Sequence, residues 1–315
     1  MTSRLASASV LSLLAIAFFI GCGDTKPTTD QPPGSDTVAS KSRPYDSLRA
    51  AIASYIATQP ADVGVAVYAI EDGDTLSVNG DKQYSLMSVT KFPQALALLK
   101  LVDEGKVSMA KPLTFTPEHL TQRTASTLKT DHPQSTFELS IPEVLRYAVG
   151  QSDNISSNVM FDAEGGPEGV TQYLRGIGIN DITIGASYRN GDELVKKNLG
   201  SPKAVAQLLK KFYSDKLLSD SSQRLLWETM VESLPGADRI KGQLPAGTVV
   251  AHKTGTAGTD AEGRIIALND AGIIVLPNGK HLAVACFVGN SKLDASASAA
   301  IIATISKMVW DEFVH

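Results

Sequence analysis

The chain has 315 residues, two cysteines, 43% hydrophobic residues and a formal net charge of −4. A mildly acidic chain offers no electrostatic footing for nucleic acid. Two cysteines exclude a disulfide framework, so stability must come from packing.

Met1–Cys22 carries Arg4, an apolar run from Val10 to Ile20 and small residues at its end. This reads as a secretory signal peptide, too short and wrongly flanked for a membrane span. Its last four residues, Phe19-Ile20-Gly21-Cys22, resemble a bacterial lipobox, which implies lipidation of Cys22. Gly23–Arg43 is rich in Thr, Pro, Asp, Ser and Gly and reads as a flexible tether. The folded body is then residues 44–315, about 270 residues, one large domain or two closely packed lobes.

Tyr45–Thr58 spaces Leu48, Ile52, Tyr55 and Ile56 as an amphipathic helix. Val63–Ile70 and Thr75–Val78 read as a strand hairpin around Glu71-Asp72-Gly73-Asp74. Helical patterns then dominate at 89–104, 141–149, 154–163, 167–176, 202–213 and 220–231. Thr248–His252, Ile265–Leu276 and His281–Val288 read as strands, the last two joined by a turn at Pro277-Asn278-Gly279-Lys280. A helix over 295–313 closes the chain. Strands at both ends with helices between them predict an α+β fold: one antiparallel sheet built from the terminal segments and flanked by helices, plus an all-helical lobe over about 85–232. Cys286 falls on a predicted apolar strand, as a buried, unpaired residue.

Three Ser-x-x-Lys sequences occur: Ser88–Lys91, Ser108–Lys111 and Ser126–Lys129. A chain of this length should contain about two by chance, so context decides. Ser108–Lys111 sits in a polar connection and Ser126–Lys129 in a Thr/Ser/His-rich loop, where both read as solvated surface. Ser88 instead opens an apolar helix, whose free N–H groups and dipole favour developing negative charge. Lys91, one turn on, reaches the same face and can accept the hydroxyl proton if burial and a second cation, Lys253, depress its pKa. Ser152-Asp153-Asn154 lies at a helix junction, where Asp and Asn often serve only as caps. Lys253-Thr254-Gly255-Thr256 ends a β-branched strand, where a lysine is usually a solvated charge. Together and in this order, they form a serine nucleophile, a proton shuttle and an anion holder for acyl transfer.

With these elements the chain resembles class A serine β-lactamases, within the penicillin-recognising serine acyltransferases, from about Tyr45 onward. Gly165-Gly166-Pro167, Leu244-Pro245-Ala246-Gly247 and Asn269-Asp270 agree. Val250-Ala251-His252-Lys253-Thr254-Gly255-Thr256 is similar to the extended-spectrum and Bacteroides-type branch. The resemblance implies Ser88 as nucleophile, Lys91 as its activator and Ser152 as proton donor to the lactam nitrogen. Asn154 would hold the substrate side-chain amide, and Lys253, Thr254 and Thr256, assisted by Arg239, the carboxylate. It implies a small-molecule β-lactam substrate, no cofactor and a monomer; the N-terminal pattern adds export to the periplasm and a lipid anchor. The five histidines show no metal-ligand spacing.

One part of the family pattern is missing. The resemblance implies a glutamate on the loop after Gly165-Gly166-Pro167, to activate the water that frees the acyl-enzyme. Counting forward from Pro167 reaches Tyr188; counting back from Asn198, which resembles the residue closing that loop, reaches Gly185. Neither is acidic. Glu193 or Asp192 then takes over in a shortened loop, or both are ordinary loop charges and turnover is slow. A slow-turnover penicillin-binding protein or D,D-peptidase, and a non-catalytic envelope binding module, stay open as alternatives. The loop Arg123–Gln134 also lacks the aromatic residue common at the family's site entrance, and offers Arg123, Ser126, Lys129 and His132.

Overall fold

Alternation within the strands organises the molecule. A computed structural model describes residues 45–133 and 136–314, with the side chain of Asp192 excepted. The expected leader, Cys22 and tether lie outside the described residues. Five antiparallel strands form the central sheet, in the spatial order Thr75–Val78, Asp62–Ala69, His281–Ser291, Ile265–Val275, Val250–Thr256. Val65, Val67, Val284, Cys286, Val288 and Ile274 face one core, which is closed by helices Asp46–Ala57 and Ala295–Phe313. The intervening Ala66, Ala283, Ala285, Phe287, Ala251, Ala271 and Ile273 face the other core, against the helical lobe. Alanines on that face let helix Pro202–Ser214 sit close upon the sheet. Cys286 is buried and unpaired, as expected.

The lobe is built around helix Lys91–Asp103, whose first nine residues are all buried. A helix apolar on every side belongs inside a larger body. Its Leu96, Leu98 and Leu99 are fully enclosed, and each contributes about 1.5–3 kcal/mol of burial. Helices Asn154–Glu164 and Gly166–Gly176 pack against it.

Three details differ from the sequence reading. The segment 141–149 is a short α-helix, Ile141–Leu145, running into a π-turn, Arg146–Gly150. The Lys253 strand does not end at His252 but runs to Thr256, because the whole segment pairs with Leu268–Ile274. Small sheets also join Tyr84–Ser85, Asn198–Gly200 and Ile182–Ile184, and pair Leu113–Phe115 with Phe137–Leu139. Such two- and three-residue strands are too short to show a period of two.

Candidate active site

Ser88 lies in a 3₁₀ turn, Met87–Thr90, that runs directly into helix Lys91–Asp103. The residue before it, Met87, has φ 49°, a left-handed conformation that costs a non-glycine residue about 1–3 kcal/mol and clusters at functional sites. Ser152 shares this property, with φ 63° after the π-turn.

The sheet holds the Ser88 turn in place. Asn269 donates its side-chain N–H to the Ser85 carbonyl at 2.7 Å. Gly255 passes so close that an added Cβ would lie 2.3 Å from the Leu86 carbonyl oxygen. Only glycine permits that approach. On the lobe side, Leu86 donates its N–H to the Asn198 carbonyl at 2.9 Å. The Asn198 side chain in turn ties Gly185 and Ala186 at 2.9–3.0 Å, closing the 185–198 loop as the resemblance implied.

Lys91 and Lys253 are both fully buried and converge on Ser152. Lys91 Nζ donates to the Ser152 carbonyl at 2.6 Å and to Asn154 Oδ1 at 2.5 Å, and lies 3.5 Å from Ser152 Oγ. Lys253 Nζ donates to Ser152 Oγ at 2.9 Å and to the Thr254 carbonyl at 2.9 Å. Burial pushes the Lys91 amine well below its ordinary value, and the Lys253 charge pushes the same way against a smaller opposing pull from Asp153. Burial also brings Lys253 down to about 7, with Asp270 opposing and Arg239 assisting. The hydroxyl of Ser152 thus stands between two buried amines whose pKa values are both depressed.

Within Ser152-Asp153-Asn154, the capping reading holds for the middle residue, while its neighbours face Lys91 and Lys253. Asp153 caps the following helix, accepting from the Ser156 N–H at 2.8 Å, and also accepts from the Leu128 N–H at 3.2 Å. Asn154 turns to the site and donates to Thr124 Oγ1 at 2.8 Å. The entrance loop is less solvated than expected: Lys129 donates to the Gln122 and Thr124 carbonyls at 2.6 and 3.0 Å. Ser108 and Lys111 are exposed, as read.

Arg239 belongs to the site by a different route from the one inferred. Its buried guanidinium donates to the Gly255 and Asn269 carbonyls at 3.1 and 2.7 Å and to Thr256 Oγ1 at 2.6 Å. It therefore braces the end of the Lys253 strand. Behind it, Asp270 accepts from His252 Nδ1 at 3.0 Å and from the Ile240 N–H at 3.2 Å, both ionisable groups being fully enclosed. Sequence reasoning missed Asp270 as a buried counter-ion, although it had marked Asn269-Asp270 as a pair.

Glu193 is not brought to Ser88. It sits on helix Gly191–Lys197, where the i,i+4 spacing draws it to Lys197 at 2.8 Å on an exposed face. Tyr188 is there instead. Its hydroxyl lies 2.7 Å from Thr90 Oγ1 and 3.2 Å from the Met87 carbonyl, with the Ser88 hydroxyl also in hydrogen-bonding reach. Its ring lies 4.3 Å from Lys91 Nζ. Burial holds the phenol neutral, with its pKa pushed up to about 12. Among the described residues no cluster of His, Cys, Asp or Glu could hold a metal ion.

The model of the beta-lactamase enzyme family matches residues 47–313. The chain is 35% identical to Beta-lactamase VEB-1 of Pseudomonas aeruginosa, over 89% of this chain and 94% of that protein. It is 36% identical to Extended-spectrum beta-lactamase PER-1 of the same organism, over 84% and 86% respectively. The crystal structure of a beta-lactamase from Chitinophaga pinensis superposes with a TM-score of 0.81 at 38% identity, covering 84% of this chain and 99% of that one. Fold, site and kinship agree: the chain belongs to the class A serine β-lactamases, hydrolases of the cyclic amide of β-lactams.

Proposed function

We propose that this chain opens β-lactams through an ester on Ser88. The convergence of Lys91 and Lys253 on Ser152, beside the Ser88 turn, is the observation that carries this reading. In it, Lys91 takes the Ser88 proton as the hydroxyl oxygen attacks the lactam carbonyl. The N–H groups of Ser88 and Thr256 hold the resulting oxyanion, such donors contributing about 3–4 kcal/mol. The C–N bond breaks, and the lactam nitrogen takes a proton from Ser152, which recovers one from the amines beside it.

Asn154 holds the side-chain amide of the substrate. Lys253, Thr254 and Thr256 bind its carboxylate, and Arg239 acts by fixing the Thr256 hydroxyl that it already bonds. Glu193 has no part in this reading, since its carboxylate is engaged by Lys197. The N-terminal pattern of residues 1–43 supports export, with a lipid on Cys22 and a tether holding a monomeric enzyme at the periplasmic side of a bacterial membrane. There it would intercept β-lactam antibiotics.

Hydrolysis of a chromogenic cephalosporin tests the reading. Wild type should turn over many equivalents, and Ser88→Ala should lose at least a thousandfold in kcat/KM. Retained activity in that variant removes Ser88 as nucleophile. Cys22→Ala in the full chain should move the protein from the membrane to the soluble fraction; unchanged fractionation removes the lipid anchor.

A further inference from the structure

Among the described side chains, no carboxylate of the 185–198 loop bonds at the Ser88 turn, and the neighbourhood shows where a proton can go instead. Every acidic side chain described near Ser88 is engaged elsewhere. Asp153 caps a helix, Asp270 is held by His252, Asp162 accepts a two-point bond from Arg189, and Glu193 pairs with Lys197. Glu164 accepts from Gln94 inside the lobe.

Lys91 is differently placed. A neutral amine has two N–H groups and one lone pair. The Ser152 carbonyl and Asn154 Oδ1 accept the two N–H groups, which leaves the lone pair at the third tetrahedral position, with Ser152 Oγ 3.5 Å from the same nitrogen. Once that lone pair takes a proton, the ammonium so formed has the Tyr188 ring 4.3 Å away. A π-face at that distance favours a cation. The Tyr188 hydroxyl is meanwhile pinned by Thr90 beside Ser88, so the ring cannot swing away. Tyr188 thus puts an aromatic face where the family's pattern places a carboxylate.

We propose that Lys91, backed by the ring of Tyr188, is the proton acceptor for hydrolysis of the Ser88 ester as well as for its formation. The proposal rests on the reading of Ser88 as nucleophile given above. In the second half, a water oxygen bonds to the ester carbonyl carbon while its proton passes to Lys91 Nζ. The bond from carbon to Ser88 Oγ then breaks, and that oxygen recovers the proton from Lys91. The enzyme returns to its starting state and the product leaves as a carboxylic acid that ionises in water. Tyr188 is a positioning residue in this scheme: its ring faces Lys91 and it exchanges no proton with the ester.

The titratable groups facing Lys91 are Lys253 from the sheet, Asp153 from the helix start and Tyr188 from the loop. Burial and Lys253 both lower the Lys91 pKa, against a smaller opposing pull from Asp153.

The test isolates the penicillin G ester of the full-length protein by rapid mixing and follows its decay by intact-protein mass spectrometry from pH 4 to 9. Decay of the wild-type ester should rise with pH along one limb and then level. Tyr188→Phe keeps the ring and should preserve that limb and the rate within threefold. Tyr188→Leu removes it and should slow decay at least tenfold while moving the limb to lower pH. Lys91→Ala, acylated by long exposure to millimolar penicillin, should hold its ester at least a hundredfold longer. Asp192→Asn and Glu193→Gln should change the lifetime less than twofold.

A Lys91→Ala ester that decays at the wild-type rate overturns the proposal. So does a prolonged ester in either acid variant, or equal behaviour of Tyr188→Phe and Tyr188→Leu. Failure of wild type to form any ester on Ser88 overturns the parent reading instead, and this proposal with it.

Discussion

The Tyr188 hydroxyl lies 2.7 Å from Thr90 Oγ1, two residues after Ser88 and across 98 positions of sequence. One hydrogen bond thereby ties the 185–198 loop to the start of the buried helix. Thr90 also reaches the Met87 carbonyl at 2.8 Å, so the bond bears on the strained residue before Ser88 as well. Thr90→Val keeps the shape and removes the hydroxyl. It should cost about 1 kcal/mol of stability and, because the bond to the Met87 carbonyl is lost as well, lower kcat more than Tyr188→Phe does. Denaturant melts and steady-state kinetics on the same preparation check both; an unchanged kcat would mean that the tie does not position the site.

Gly255→Ala should be among the more damaging single-methyl changes in the sheet. Its Cβ would meet the Leu86 carbonyl oxygen at 2.3 Å, which is backbone and cannot rotate away. Overpacking of this kind costs about 1–3 kcal/mol, and the displaced strand carries both Lys253 and Thr256. Thermal unfolding and kcat/KM should fall together. A variant with wild-type activity would show that the strand and the Ser88 turn can separate without consequence.

Asp270→Asn probes the charge of Lys253. Asp270 raises the Lys253 pKa against burial, and the two together leave it at about 7. Removing the carboxylate lowers that pKa further, so the amine loses its proton at a lower pH. On the proposed reading the Lys253 ammonium binds the substrate carboxylate, and KM should therefore begin its rise with pH at least one unit earlier than in wild type. KM profiles from pH 5 to 9 decide the matter, and superimposable profiles would sever Asp270 from the anion site.

Glu164 gives a stability prediction independent of catalysis. Burial raises its pKa well above the ordinary carboxylate range, with hydrogen bonds from Gln94 and the Leu98 backbone opposing. The folded chain therefore keeps a proton that the unfolded chain releases. Its contribution is full below about pH 4 and is lost as pH rises toward the folded value. Glu164→Gln should leave stability near pH 4 almost unchanged and raise it at pH 8, flattening the profile. Urea melts across this range test it; a variant that loses stability equally at both ends would contradict the assignment of a neutral carboxyl.

Long periodic segments of the fold were legible in the sequence. The outer strands and terminal helices fall within a few residues of their expected bounds, because alternation and helical spacing record which face is buried. The π-turn before Ser152 and the left-handed backbone at Met87 and Ser152 left no such mark. They are set by packing around the site. The helix-opening Ser88 and its partners stood out by order and context, and the geometry brings Lys91, Ser152, Asn154 and Lys253 together. Arg239 was named through the resemblance, as an assistant to carboxylate binding, and its hydrogen bonds show a brace. Tyr188 was reached by counting and passed over because it was not acidic. Glu193 was weighed because it was acidic and near in sequence, yet four residues on stood a lysine to claim it.

The most direct test of the account is the mass of the protein during turnover of penicillin G, followed from milliseconds to hours. The account predicts one adduct of the substrate's full mass, mapped to Ser88, present while substrate remains and gone soon after it is exhausted, with none in Ser88→Ala. An adduct that forms in Ser88→Ala, or a wild-type adduct that outlasts the substrate by hours, would contradict it.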